Sequence, residues 1–350
     1  MLTGHTEKDD VSTDVSTDVT VVIPAYNAAA HIGRSLKSLA HQQPYSPRVV
    51  VVDDGSIDGT ADTVQPMACE LGLPVEILIQ RNKGVSEARN AGLEMASTEY
   101  VMFLDADDYL EADCINDLRK AADEASSDMA FCGFDRVDQE GRVIWEYTHS
   151  YCYPSQVGSG ESVLRSILAL KTYIHMGAGL YRRDFLHRYN LRFTRGCTAG
   201  EDEEFVFKAL VRASRVACVP QILHHYSVTP GSLSRTRTMR RFDWVSALRR
   251  ARRYMDRAGV STDTAKVMDE FYLPRVVAAM VREVSSTHLP YRDAIRLCKN
   301  PSIRRMVEPV IRTDLEDVRQ LRVQRLKSTG IVYLPGLFVL AARACGFLRQ

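Results

Sequence analysis

The sequence predicts an α/β protein: a mostly parallel sheet flanked by helices, with a helical extension at the C-terminal end. Short apolar runs alternate with amphipathic segments between residues 19 and 134, and each early run ends in a polar motif. From about 236 to 350 the pattern is helical and rich in Arg. Strands alternating with single helices imply right-handed βαβ crossovers, which cover both faces of the sheet. Ligands of such sheets bind outside the strand C-termini, where the polar motifs fall.

Taking the elements in order, residues 1–17 contain a tandem Asp-Val-Ser-Thr and are too polar to bury themselves, so they read as a disordered leader. Strands are expected over 19–23, 49–52, 75–79, 100–104 and 129–134. Between them lie helices over 29–40, 59–71, 86–96 and 111–125, the first with Ile32, Leu36 and Leu39 on one face. A mixed stretch follows, with a strand over 142–148, a helix over 160–170 and an apolar segment over 173–181. A helix over 201–213 precedes two strands, 216–219 and 222–226. A boundary near 235 divides a domain over 18–235 from a helical region over 236–350.

Composition narrows the function. At 350 residues the chain can bury one sizeable core, and its net charge of +1 hides a basic segment, nine arginines over 235–257 against Asp243 and Asp256. That segment fits a solvated helix face or an anionic membrane surface, and no nucleic-acid partner is expected. Eight cysteines without a C-x-x-C pair provide neither a zinc spacing nor a disulfide scaffold. With no apolar signal segment among residues 1–10, a cytoplasmic site of action is expected, at the inner face of the membrane if the tail binds lipid. The tail, 330–342, is apolar but broken by Pro335-Gly336. It falls short of the roughly 20 apolar residues that span a bilayer, so it reads as an interfacial segment or as a helix folded onto the protein's own core.

Four motifs sit at strand mouths. Val21-Val22-Ile23-Pro24-Ala25-Tyr26-Asn27 closes the first strand, and Val51-Val52-Asp53-Asp54-Gly55-Ser56 the second. A carboxylate there accepts from an imide N–H such as N3 of uracil, and Gly55 leaves room for a flat base. Arg81 to Gly92 is a basic, Gly-containing loop opening a helix, which presents cationic side chains and free N–H groups to phosphate or ribose oxygens. Finally, Phe103-Leu104-Asp105-Ala106-Asp107-Asp108 ends an apolar strand in carboxylates. If the extended geometry persists, Asp105 and Asp107 project to one side and converge on a hard cation that also takes diphosphate oxygens.

In order and spacing these motifs, with Asn82-Lys83-Gly84 and Ala88-Arg89-Asn90, resemble the nucleotide-sugar domain of inverting family 2 glycosyltransferases over about residues 18–235. The resemblance implies a GT-A-type, Rossmann-like fold, a nucleoside-diphosphate-sugar donor, most readily a UDP-sugar, and Mn²⁺ or Mg²⁺ as cofactor. It places Pro24, Ala25, Tyr26, Asn27, Asp54, Lys83, Arg89, Asp105 and Ala106 around the nucleotide, and Asp107 with Asp105 at the metal. Gly200-Glu201-Asp202-Glu203-Glu204 is similar to the family's acceptor-side motif, which makes Asp202 the general base and Glu201 a residue that orients it or binds acceptor hydroxyls. The acceptor implied is a glycan or lipid-linked glycan of a bacterial surface. Relatives often carry an Arg that clamps the diphosphate where this chain has Ser227; His225, Arg235 and Arg237 are the candidates to replace it, and His224 or His225 could complete the metal shell. A nucleotidyltransferase and a non-catalytic nucleotide-sugar-binding protein share most of these features and stand as the alternatives.

Overall fold

The computed structural model describes residues 18–44, 46–228, 239–286 and 289–347. The expected leader and Arg235 and Arg237 lie outside them. β1 (Val19–Ala25) forms the spine of the sheet, parallel to β2 (Arg48–Asp53) and, on its other side, to β4 (Tyr100–Phe103). β3 (Val75–Ile79) continues the parallel set beyond β2. All seven residues of β1 are buried, as a strand covered on both faces requires. The crossovers are α1 (Ile32–Ala40), α2 (Thr60–Leu71) and α3 (Val85–Met95). Val21 and Ile23 pack with Ile32 and Leu36 on one face, while Val22 faces Leu93 on the other. α3 lies so close to β1 that a Cβ on Gly92 would come within 2.2 Å of the Val22 side chain.

Past β4 the chain forms β5 (Tyr109–Leu110), α4 (Cys114–Glu124), β6 (Met129–Val137), β7 (Val143–Glu146), β8 (Val157–Gly158), α5 (Gly160–Leu168), β9 (Gly179–Arg182), α6 (Arg183–Arg188), α7 (Glu201–Arg212) and β10 (Val216–Ser227). The sheet order is β3-β2-β1-β4-β9-β6-β10-β5, with β7 on β6 and β8 on β10. β9 runs antiparallel between β4 and β6, so the sheet is mixed in this half.

Several expectations change here. The two strands anticipated over 216–219 and 222–226 are one strand, β10, whose register against β6 shifts between Val219 and Ile222 and again before His224. The irregularity accommodates Pro220, which has no N–H for the ladder, so the strand bends instead of ending. β5 and α6 are not visible in the sequence pattern, and β5, at two residues, is too short to show a period. The strand of the acidic motif stops at Phe103, and the Asp108 N–H closes a turn onto the Asp105 carbonyl at 3.0 Å. Asp105 and Asp107 therefore lie in a turn, and the period-two argument for their convergence does not apply.

The C-terminal region comprises α8 (Asp243–Ala258), α9 (Thr262–Val267), α10 (Leu273–Ser285), α11 (Tyr291–Lys299), α12 (Pro301–Val307), α13 (Pro309–Arg312), α14 (Leu321–Tyr333) and α15 (Pro335–Phe347), with a π-helical turn, Met268–Tyr272, joining α9 to α10. Its apolar residues, among them Leu248, Val276, Met280 and Val339, share one core with Phe103, Phe131, Phe205 and Leu210 of the sheet side. Polar anchors reinforce this contact. Glu204 is buried and receives a bidentate pair from Arg250 of α8, with Lys208 and Thr194 alongside. Glu203 accepts from Trp244 Nε1 at 2.6 Å and from the Tyr272 hydroxyl.

Burial pushes the Glu203 carboxyl up to about 7, with Asp202 adding to the rise, while Tyr272, Arg275 and Trp244 oppose it. The folded value exceeds the ordinary 4.5, so the folded state binds more protons and this group's contribution to stability falls as pH climbs from 4.5 through 7. In thermal melts across that window, Glu203→Gln should flatten the decline in melting temperature. An unchanged slope would mean that Glu203 titrates alike in the folded and unfolded chain.

Candidate active site

The strand mouths are stitched together by side chains from neighbouring loops. Pro24 and Ala25 are buried at the end of β1, while Tyr26 is 54% exposed and Asn27 is exposed beside it. Asn27 sits in the left-handed region at φ 50°. Its N–H donates to Ser56 Oγ at 2.9 Å and its Oδ1 accepts from the Ile57 N–H at 3.0 Å, which ties the β1 loop to the β2 loop. Asp54 is buried, and its carboxylate accepts from Gln80 Nε2 at 2.7 Å, the Lys83 N–H at 2.8 Å and the Gly84 N–H at 2.7 Å. Gly55 at φ 79° brings the backbone so close that a Cβ would lie 2.9 Å from Asn82 N. Asp54 thus shapes the loop that opens α3, and the Lys83 side chain is left exposed at its tip.

Arg89 projects from α3 into the interior and is 3% exposed. Its guanidinium donates to Asp105 Oδ1 at 2.7 Å and to Glu201 Oε1 at 3.2 Å, and it lies 5.3 Å from the centre of the Phe193 ring. Burial alone would favour the neutral form, but Asp105 and Glu201 outweigh it and hold the guanidinium charged. Asp105 shows the mirror image: burial raises its carboxyl, and the charge and hydrogen bond of Arg89 bring it below the ordinary range. Asn90, next on α3, clamps the Phe193 backbone through both its N–H and its carbonyl at 2.9 Å.

Four acids open α7 behind Gly200, and successive helical positions send them in different directions. Glu201 meets Arg89, Glu203 meets Trp244 and Tyr272, and Glu204 meets Arg250. Asp202 accepts the N–H of Glu203 at 2.7 Å and remains half-buried at the helix start. Gly200 is required here, since at φ 78° a Cβ would come within 2.3 Å of the Trp244 ring.

On the far side of the acidic turn, buried Asp108 accepts the Ser227 N–H at 2.9 Å and pairs with His224 Nε2 at 3.0 Å. The His175 ring stacks on His224 with centroids 4.8 Å apart. Burial first, then the His224 ring, drives His175 down to about 4, and burial followed by His225 drives His224 to about 3, so both rings are neutral. Asp108, His175 and His224 bring three ligand atoms within 4.8 Å of one another. Burial, then Asp108 and Asp105, push Asp107 up to about 7, and burial chiefly pushes Asp108 to about 8. A turn that concentrates three carboxylates in this way fits a divalent cation, whose charge would remove the strain.

Residues 20–189 match the family model described as glycosyl transferase family 2. The chain is also 30% identical over 234 residues to the succinoglycan biosynthesis protein ExoO of Rhizobium meliloti, which covers 66% of each chain. The chain belongs to glycosyl transferase family 2. The fold agrees, with a TM-score of 0.63 to S. aureus TarS 1-349 in complex with UDP-GlcNAc, at 19% identity over 95% of this chain and 92% of that one. The mannosyltransferase PcManGT from Pyrobaculum calidifontis, in complex with GDP-Man and Mn²⁺, gives 0.54 at 18% identity, covering 95% of this chain and 88% of that one. The first curated relatives are matched over only 33% to 66% of their own length.

Of the candidates to replace a diphosphate-clamping Arg in this family 2 chain, His225 is described by the structure. His225 cannot take the place of the clamping Arg, because Nδ1 faces Asp135 at 2.8 Å, Nε2 faces Glu111 at 2.9 Å and Tyr109 stacks on the ring. The same two bonds leave it no nitrogen for a metal. Sequence reasoning missed His175 and the roles of Asp108, Glu203 and Glu204. Asp108 lies beside the expected ligands and was in plain view, but a lone His in the apolar 173–181 segment carries no sequence signal.

Replacing Arg89 by Gln would leave Asp105 and Glu201 without their shared cation in a largely buried site. Breaking one partner of a buried pair costs about 3–5 kcal/mol. Denaturant unfolding of Arg89→Gln should show a loss in that range, and a change under ~1 kcal/mol would mean that the pair is not buried in solution.

Proposed function

We propose that this chain is a metal-dependent inverting glycosyltransferase that moves a sugar from a nucleoside-diphosphate donor, most readily a UDP-sugar, to a hydroxyl of a glycan or lipid-linked acceptor in bacterial surface polysaccharide synthesis. The observation that carries this reading is the Arg89 bridge, which holds the acidic turn after β4 and the N-terminus of α7 in one buried unit. Donor-side and acceptor-side carboxylates are thereby brought to one site. Relatives support the substrate classes: TarS was crystallised with UDP-GlcNAc, PcManGT with GDP-Man and Mn²⁺, and ExoO is named for succinoglycan biosynthesis.

Pro24 to Asn27 form the wall against which the nucleoside rests, with the exposed Tyr26 ring offering a face for the base. Asp54 contributes by shaping the 80–84 loop, and Lys83 at the loop tip provides a cation for donor oxygens. Asp105 and Ala106 line the ribose side. Asp107, with Asp105, would hold Mn²⁺ or Mg²⁺, which when bound offsets charge on the diphosphate leaving group.

Asp202 removes the acceptor proton. An acceptor hydroxyl is a poor nucleophile at neutral pH, and a carboxylate within hydrogen-bond reach takes its proton as it attacks the anomeric carbon on the face opposite the diphosphate. The glycosidic bond forms as the bond to the diphosphate breaks, and the anomeric configuration inverts. Glu201, fixed by Arg89, borders the acceptor hydroxyls. No covalent enzyme intermediate is needed, since the leaving group is already activated.

Calorimetric titration of UDP, GDP and dTDP with and without Mn²⁺, followed by a donor-hydrolysis screen, tests the reading. Metal-dependent binding of one nucleotide with slow hydrolysis of its sugar is expected, and no binding of any nucleotide would overturn it. Asp107→Ala should abolish the Mn²⁺ dependence of nucleotide binding, whereas an unchanged metal titration would remove Asp107 as a ligand. Asp202→Asn should leave nucleotide affinity intact while lowering turnover by about 10²-fold or more; normal turnover would exclude Asp202 as the base.

A further inference from the structure

The last two helices present an unusual outer surface. α14 and α15 form a helical pair packed on α10 and α11 through Ile331, Val339 and Ala342, all buried. A helix lying on a globular core ordinarily turns polar residues outward. α15 does the opposite, because its exposed positions are Leu337, Leu340, Ala341, Ala344 and Cys345, one apolar stripe at helical spacing. α14 continues the pattern with Val323, Leu326 and Tyr333, and Leu334 stands at the junction. Leu326 is 75% exposed and Leu337 63%. A run of large exposed apolar side chains on one helical pair marks an interaction site rather than scattered surface residues.

Charge distribution indicates what covers this surface. Residues 318–350 contain six Arg or Lys and no Asp or Glu, in a chain whose net charge is only +1. Arg322 is exposed beside Val323, and Arg292 is exposed next to Tyr291, whose hydroxyl donates to the Gly336 carbonyl where α15 begins. Apolar side chains on the outside, cations at the rim and a helical segment with no acid of its own are the features of a helix that lies in the headgroup region of an anionic bilayer. Among the described residues no helix is long and apolar enough to cross a membrane, which leaves an in-plane contact. The break at Leu334, before Pro335, lets the pair bend at a point where Tyr333 and Leu334 are both exposed.

We propose that the outer face of α14 and α15 docks on an anionic phospholipid surface, with Leu326, Leu334, Leu337 and Leu340 inserted among the acyl chains. The contact stands apart from the glycosyltransferase reading, since it involves none of the residues placed at donor or acceptor. A second copy of the chain is the competing occupant, but residues 318–347 carry five cations and no acid on each copy, and this like charge disfavours a self-interface.

The test is co-sedimentation of the full chain with vesicles of phosphatidylcholine alone or with about a third phosphatidylglycerol, with neither donor nor acceptor present. Binding is expected only to the anionic vesicles, and Leu337→Glu/Leu340→Glu should weaken it by at least about tenfold with an unchanged thermal melt, since both side chains are exposed. Wild-type and variant proteins binding equally would overturn the proposal. So would light scattering that finds a wild-type dimer turned into a monomer by the two substitutions, because the face would then be a subunit interface. If the melt drops instead, Leu326→Ser, on the other helix, replaces the double variant and should weaken vesicle binding by itself. Failure here would leave the nucleotide titration untouched, and failure there would leave the vesicle result standing.

Discussion

The bond pair from Arg89 to Asp105 and Glu201 is the constraint on which the rest of the site depends. Two carboxylates from distant parts of the chain, one in the turn after β4 and one at the start of α7, are brought within reach of a single buried guanidinium. Without that cation each would have to be solvated separately. A planar donor that forks toward two acceptors fixes direction as well as distance, a task a Lys point charge performs poorly. Phe193 against the guanidinium and Asn90 on the Phe193 backbone hold the fork in place.

Helical rotation explains how one short acidic run serves three purposes. Positions 201 to 204 advance by roughly 100° each, so four consecutive carboxylates cannot share a face. Glu201 meets Arg89, Asp202 stays half-buried at the helix start, and two reach into the C-terminal region, where Trp244, Tyr272 and Arg250 receive them. The helical extension is therefore part of the foundation of α7. Its cost is a Glu203 carboxyl buried deeply enough to titrate far above its usual range.

The neighbourhood of Ser227 is organised around hydrogen bonds to Asp108 and two stacked rings. The backbone N–H at this position is spent on Asp108, and His224 and His175 stack next to it as neutral rings. Positive charge near the acidic turn thus comes from Arg89 and, in the proposed holoenzyme, from the cation. His225, one residue along, belongs to a separate cluster with Asp135 and Glu111.

Much of the architecture was legible in the sequence because its signals are local. Alternating apolar runs located β1, β2, β3 and β4 within a residue or two, and the carboxylate motifs fall at or just past the ends of β2 and β4. The 201–204 run announced a helix start, since acids favour that end of the dipole. What the sequence could not carry was anything dependent on partners far along the chain. The antiparallel insertion of β9 between β4 and β6, and the pairing of β5 with β10, arise from contacts separated by roughly fifty to a hundred residues. Likewise, which acids act as buried anchors was decided by the side chains they meet across the fold. By itself the sequence determined the parallel half-sheet, the family and the set of candidate groups, because periodicity and motif spacing are properties of neighbouring residues. Only the tertiary structure decided that Asp54 shapes a loop, that Arg89 unites two acidic centres and that α15 turns its leucines outward, because burial and pairing are properties of the packed whole.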